Sequence, residues 1–399
     1  MKILAVADYL PMADRASGDL RFYSILKMLT ERHSVSFCCH DWQRQRDEVG
    51  LDELTRYQTQ LEQLGIEVIR SGIPATVKHG RFDVIWFEFY YAACANLTEA
   101  RFWQPQARVV IDTVDVHFHR LFAKAQLSKK AQDFAQAHAT KKAELRIYKN
   151  ADFVIAVTEQ DRQILLQQDA DIRVEVLPNI HKVPALMPTR QRLANSLVFV
   201  GGFGHEPNVD AMLFFCTEIL PLIRREIPDI HVKIIGGSAP ETIRNLSGSH
   251  VEVLGYVPDT APFLESSAIS IAPLRFGAGM KGKIGEAMSY GLPVVTTSVG
   301  IEGFGLTPEE NVLVGDSPEE FAAQIVRLLG DAELYKKLSA NGWLFIKQNY
   351  SQEAVVERVY SIFDHLDSYP VKKLSTIGLI KKHVMNTLEK HLLWRFRGT

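Results

Sequence analysis

Short, continuous apolar runs recur along the chain, with longer amphipathic stretches between most of them. In the first half they are KILAVADYL (2–10), SVSFCCH (34–40), IEVIRSG (66–72), FDVIWFEFY (82–90), RVVIDTVD (108–115), FVIAVT (153–158) and VEVLPN (174–179). Most are rich in β-branched residues and do not alternate apolar with polar, which is how parallel strands covered on both faces read. Between them, YSILKMLTE (23–31) carries apolar residues at helical spacing, and a long polar helix from about residue 128 ends in LRIYKN. Strands alternating with helices predict an α/β fold with an open, doubly wound parallel sheet.

The alternation pauses at NIHKVPALMPTRQRLANS (179–196), which has prolines, mixed charge and no period. It restarts with LVFVGG (197–202), HVKIIGG (231–237), VEVLGYV (251–257), AISIAPL (268–274), PVVTTSV (293–299) and NVLVGD (311–316). Two α/β domains follow, 1–183 and 184–360, with no close sequence repeat between them. Ligands of open α/β sheets bind beyond the carboxyl ends of the strands, so the cleft between two such domains is the expected site. From about 316 to 365 the chain reads as helical. The remainder, 361–399, forms a separate basic tail: from 371 on it holds seven Lys/Arg and one Glu. Ile380, Val384, Leu388 and Leu392 recur every four residues there, with Trp394 and Phe396 beyond. Such a helix either lies on an anionic membrane face or packs on the body with a solvated basic side.

Composition narrows the classes. A chain of 399 residues with 46% apolar content has material for two to three cores. A net charge of −2 offers no basic field for nucleic acid. Cys38, Cys39, Cys94 and Cys216 show no paired spacing, which argues against a disulfide framework or a zinc site and for a cytoplasmic-type chain. The apolar start of MKILAVADYL is too short for a signal peptide and reads as a first strand. No apolar run reaches a membrane-spanning length.

The chemistry concentrates in GAGMKGKIGEAM (277–288). Gly277, Gly279 and Gly282 formally match G-x-G-x-x-G, with Glu302 about 20 residues on, so a dinucleotide site is one reading. That fingerprint belongs at the first turn of a domain, however, and here the loop follows the fourth strand of the second one. Glycines let backbone approach a ligand, and a helix starting near 283 offers its positive end to an anion. Lys281 and Lys283 add full charges. Glu286, in the first turn of that helix, is placed to accept vicinal hydroxyls such as those of a ribose; complementing the helix dipole is the alternative.

The stretch LRFGAGMKGKIGEAMSYGLPVVTTSVGIEG resembles the donor-binding motif of the family 4 retaining glycosyltransferases, whose GT-B fold sets two Rossmann-like domains face to face across a cleft. The family's Glu-x7-Glu pattern is met at its second position by Glu286, while its first falls on Ala278; this matches the branch reading Gly-x-Gly-x-(Arg/Lys)-x-Lys-(Ile/Val)-x-Glu-Ala. The resemblance covers roughly residues 1–360 and is more specific in the second domain. It implies that Glu286 holds the donor ribose and that Lys281 and Lys283 face the donor diphosphate. The turn Gly201-Gly202-Phe203 would approach the phosphates, with Gly277 and Gly279 close by, and Tyr256 and Val257 would flank the base. In the first domain, Gly18, in PMADRASGDLRFY (11–23), would come near phosphate and acceptor, with Ser17 or Asp19 capping the helix. From IDTVDVHFHR (111–120), His117, or else His119, would reach the donor sugar. Glu144, Tyr148 and Asp152 read as structural, and Asp169-Ala170-Asp171 as a solvated turn.

The resemblance therefore implies a metal-independent transfer of a sugar, with retention, from a UDP-, GDP- or dTDP-linked donor to a glycan, polysaccharide or lipid-linked acceptor. It implies no cofactor and a cytoplasmic protein, with a peripheral place at the inner membrane face if the tail binds lipid. The rival readings are an NAD-binding oxidoreductase, a nucleotide-sugar epimerase, and a non-catalytic nucleotide-sugar or glycan-binding protein.

Overall fold

A computed structural model describes residues 1–372. The first parallel sheet contains β1 (Lys2–Ala7), β2 (Ser34–Cys39), β3 (Glu67–Ile69), β4 (Val84–Glu88), β5 (Arg108–Asp112), β6 (Phe153–Ala156) and β7 (Val174–Val176). Their order is β3-β2-β1-β4-β5-β6-β7. The second contains β8 (Ser196–Val200), β9 (His231–Ile235), β10 (Val251–Gly255), β11 (Ile269–Ala272), β12 (Val294–Thr296) and β13 (Leu313–Val314), ordered β10-β9-β8-β11-β12-β13. In both sheets the order reverses beside the first strand, which opens a crevice at the carboxyl ends there.

Each expected strand is present but shorter at its carboxyl end. KILAVADYL pairs only through Ala7, and RVVIDTVD only through Asp112. The residues that follow have left the sheet and line the crevice. Six of the helices pack on these sheets as follows: α1 (Ser17–Thr30), α2 (His117–Ser128), α3 (Ala131–Asn150) and α6 (Gln352–Asp364) on the first, α4 (Glu206–Phe214) and α5 (Gly282–Ser289) on the second.

Both faces of each sheet are buried, as the continuous apolar runs require. Ile3, Ala5, Val84 and Trp86 pack against α1 on one face of the first sheet, and Leu4, Val6, Ile85 and Phe87 pack on the other. The second sheet has the same arrangement around Phe199 and Ile271 on one face and Val198 and Ala272 on the other.

The second domain was expected to run to 360. Instead α6 crosses back to the first sheet, where Val355, Val359 and Phe363 join its core and the Phe363 ring meets Trp86 at 5.5 Å. Each such side chain contributes about 1.5–3 kcal/mol when fully buried, which explains why the helix docks there. The first residues of the expected tail thus finish α6 and a following turn, with Leu366 buried against the same core. Ile380, Val384, Leu388, Leu392, Trp394 and Phe396 lie outside the described residues. Among the described residues no helix is long and apolar enough to cross a membrane.

Candidate active site

The two domains meet at helix ends. α1 starts just after β1 and α5 just after β11, and the start of each abuts the other. A Cβ built on Gly282 would overlap Cβ and Oγ of Ser17, so only glycine permits this approach. Neither helix has a side-chain cap: Ala16 precedes α1 and Lys281 precedes α5. The expected cap from Ser17 or Asp19 is not formed. Ser17 is already helical, and Asp19 accepts instead from the Met12 amide at 2.8 Å. Two positive helix ends therefore point into one crevice, which is an arrangement for an anion.

Lys283 stands at that point. Its Nζ donates to Asn208 Oδ1 at 2.9 Å, and Asn208 Nδ2 donates to the Gly202 carbonyl at 2.7 Å. Burial, and then the charge of Lys281, push the Lys283 amine down to about 8. A Cβ on Gly201 would sit 3.1 Å from Lys283 Cε, so the glycine turn after β8 and the lysine share one small space.

Glu286 lies one turn further along α5, on the face of Lys283. It accepts from Thr260 Oγ1 at 2.5 Å, and burial raises its carboxyl. Thr260 belongs to the loop after β10 that also carries Tyr256 and Val257. The Tyr256 ring is 40% exposed and lies under the guanidinium of Arg15, 4.5 Å from the ring centroid. Lys281 goes elsewhere. It is buried, and its Nζ lies 3.4 Å from Glu302. Gly277 backs its side chain, where a Cβ would sit 3.3 Å from Lys281 Cε.

The first domain closes the other side. Val114, with φ of 55°, holds a left-handed conformation that is unusual for a β-branched residue. Its carbonyl faces Gly279, itself at φ of 63°, where a Cβ would come 3.0 Å away. Gly18 meets the same residue, at 3.3 Å from Val114 Cγ1 by the same measure. Next to it, His117 Nδ1 lies 2.7 Å from Asp115 Oδ1. Burial opposes a charge on the imidazole, but Asp115 and Glu144 outweigh it and push His117 up to about 9. Burial likewise opposes the Asp115 carboxylate, yet His117 and Arg120 hold its pKa below the usual range.

Both domains match known family models. The model described as Glycosyltransferase Family 4 matches residues 21–180, and that described as Glycosyl transferases group 1 matches residues 194–331. The chain belongs to the family 4 glycosyltransferases. An uncharacterized glycosyltransferase of Methanocaldococcus jannaschii is 21% identical over 377 residues, which cover 80% of this chain and 94% of that protein. An uncharacterized protein of the cps region of Klebsiella pneumoniae is 26% identical over 174 residues; that match spans 41% of this chain and 45% of the relative, less than half of its length. Among solved structures, sucrose-phosphate synthase of Thermosynechococcus elongatus superposes with a TM-score of 0.70 at 16% identity, over 92% of this chain and all of that one. Anabaena HepE in complex with UDP-glucose gives 0.68 at 15%, over 91% and 99%. These likenesses show the fold, two Rossmann-like domains in the GT-B arrangement.

In this glycosyltransferase the residues singled out in sequence fall into two groups. Gly18, His117, Gly201, Gly202, Gly279, Lys283 and Glu286 gather around the crevice, with Tyr256 and Val257 on the loop that supplies Thr260. Lys281, with Gly277 against its side chain, and His119 turn to the seam near Glu302, and burial lowers both Lys281 and His119. Asp112 is spent in a fully buried ion pair with Arg21, 2.7 Å away. Glu144 caps the start of α2, accepting from the amides of His117 and Phe118 at 3.1 and 2.7 Å, which fits its structural reading. Asp152 likewise accepts from the Val109 amide, and Asp169 pairs with Lys149. Sequence reasoning missed Asn208, Thr260 and Arg15, common polar residues with no distinguishing spacing, the first in the first turn of α4 and the others in loops.

Proposed function

We propose that this glycosyltransferase moves a sugar from a nucleoside diphosphate donor to a hydroxyl of a glycan or lipid-linked acceptor, with retention and without a metal ion. The observation that carries the reading is the meeting of two uncapped helix ends over Lys283. A diphosphate there gains charge stabilisation as it departs. Glu286, with Thr260, grips the ribose hydroxyls. Gly201 and Gly202 let the backbone approach the phosphates, and Tyr256 and Val257 border the base. Lys281, paired with Glu302, adds its charge from behind the loop. His117, charged through Asp115, donates to the donor sugar. In the step itself the bond from the sugar C1 to the phosphate oxygen breaks and a bond from C1 to the acceptor oxygen forms. The acceptor proton passes to the departing phosphate oxygen.

HepE has been solved with UDP, glucose and UDP-glucose, and TarM of S. aureus with UDP and α-GlcNAc-glycerol, which supports a nucleotide-sugar donor and a hydroxyl acceptor. The Klebsiella relative from a cps region supports a polysaccharide or lipid-linked product. Retention rests on the family resemblance, and a place at the inner membrane face rests on the basic tail. A thermal-shift screen against UDP-, GDP-, dTDP- and CMP-sugars, with NAD alongside and EDTA present, tests the reading. Stabilisation by one nucleotide sugar is expected. Stabilisation by NAD alone, or by a sugar nucleotide only after a divalent metal is restored, refutes the donor or the metal-free claim respectively.

A further inference from the structure

The first domain carries a second polar cluster beside the crevice, and the donor site does not use it. Glu88 ends β4 and pairs in register with Asp112 on β5. Its side chain is only 6% exposed, and Oε1 is buried without a hydrogen-bond partner. Burial, then the nearby Asp19 and Asp112 charges, push its carboxyl well above the usual range. Asp8, just after β1, and Asp19, in the first turn of α1, complete the acidic wall. A cation that borders it, Arg21, is committed to Asp112 and to the carbonyls of Leu177 and Pro178.

An aromatic surface adjoins this wall. The Phe89 and Tyr91 rings stack at 4.9 Å with an interplanar angle of 14°. Tyr91 is 37% exposed, and Asp8, Asp19, Glu88 and Asp115 all act electrostatically on its hydroxyl. Phe89, Tyr90 and Tyr91 each present an edge or face to His117, with centroids 5.7, 5.2 and 5.9 Å away. Phe89 itself has φ of 63°, a strained conformation that the surrounding structure must impose.

We propose that this cluster is the acceptor subsite and that it takes the ring of an uncharged pyranose. Glu88, Asp8, Asp19 and the Tyr91 hydroxyl bind its hydroxyls, while the Phe89–Tyr91 stack covers its C–H face. A carboxyl whose charge is disfavoured by burial can donate as well as accept, which suits a sugar hydroxyl and answers the orphaned oxygen of Glu88. A sugar bearing a phosphate or carboxylate at this position meets an acidic wall whose neighbouring arginines are already paired, Arg21 with Asp112 and Arg44 with Glu48, and is rejected. The inference rests on the proposed function, because the subsite adjoins the helix end assigned to the donor diphosphate.

Saturation-transfer NMR on the full-length protein, with UDP present, tests it. The probes are methyl α-D-glucopyranoside, methyl α-D-mannopyranoside, methyl α-D-galactopyranoside, D-glucuronate and D-glucose 6-phosphate. At least one neutral glycoside is expected to bind, with transfer strongest to the C–H protons of one ring face. Glu88→Met and Tyr91→Ala should each weaken it about tenfold, and the anionic sugars should bind at least about tenfold more weakly than the neutral ones. Equal binding of anionic and neutral sugars, survival of the signal in both variants, or no neutral sugar bound would overturn the proposal. Glu88→Met keeps the length of the side chain without the carboxyl; if it does not fold, the partly exposed Tyr91 gives the answer independently. The two readings fail separately. A protein stabilised by nucleotide sugars that binds no pyranoside loses the subsite alone. One that binds pyranosides through Glu88 and Tyr91 but no nucleotide sugar loses the donor assignment.

Discussion

Replacing Gly282 with alanine perturbs the point on which the proposed chemistry depends. Alanine is the better helix former, so α5 by itself gains from the change. The loss comes from the neighbour: the new Cβ would sit within 3.0 Å of both Cβ and Oγ of Ser17, closer than real Cβ contacts occur. To restore ordinary contact the two helix ends must part by roughly 1 Å, and misplacement of that order costs about 100-fold in rate. Overpacking adds about 1–3 kcal/mol of lost stability. The expected result for Gly282→Ala is a fall in kcat of about 100-fold with a folded protein, read as initial nucleotide diphosphate release from the donor found by thermal shift. Ser17→Gly supplies the decisive control. It removes both clashing atoms and leaves Ser17 Cα at 3.7 Å, an ordinary contact. The double variant Ser17→Gly/Gly282→Ala should therefore recover most of the lost rate. Wild-type turnover in Gly282→Ala, or a double variant no better than the single one, would refute the claim that the helix ends act together.

Glu286→Gln keeps the shape of α5 but removes a charged acceptor; donor affinity measured by calorimetry should fall about tenfold or more, and an unchanged Kd would remove the ribose assignment. Asp115→Asn takes away the main support of the His117 charge, so the NMR titration of His117 should move down from about 9 by at least roughly one unit. The sign of the linkage follows: a histidine whose pKa is raised by folding stabilises the fold below its unfolded value of about 6.5, and that stability is lost as pH rises through about 9. Wild-type protein should lose this increment across that window, and Asp115→Asn should lose a smaller one, since Glu144 still raises His117. Gly285→Ala drives a Cβ into the ring of His181, which is buried in the interdomain linker; an overpacking loss of about 1–3 kcal/mol should appear as a lower Tm. A Tm equal to wild type would contradict the packing of the linker under α5.

Much of the architecture was legible because it rests on local patterns. Continuous β-branched runs mark strands buried on both faces, and each run identified in this way is a strand in one of the two sheets. What ran past the strand ends, such as Asp8 and Tyr9 or Thr113 to Asp115, is loop at the carboxyl ends of the sheet. The runs read long because site loops and strand ends share apolar composition. The candidate anion site was legible for the same reason: a glycine-rich turn, two lysines and a helix start lie within a few residues, and local geometry brings them together. The spacing also separates the lysines. Glu286 is three residues from Lys283, so those two share a face of α5, whereas Lys281 precedes the helix and turns to Glu302.

The sequence by itself determined the two α/β domains, the positive loop and the carboxylate one helical turn beyond it, because these depend on residues close in the chain. Only the tertiary structure decided that Ser17 meets Gly282, that Thr260 reaches Glu286, that Asn208 holds Lys283, and that α6 returns to the first sheet. Those contacts join residues far apart in sequence, through surfaces whose complementarity no local period encodes. The same holds for Glu88. Inside the apolar run 82–90 it looks like an ordinary strand position, and only packing near Asp19, Asp112 and Tyr91 leaves its carboxyl buried with Oε1 unpartnered.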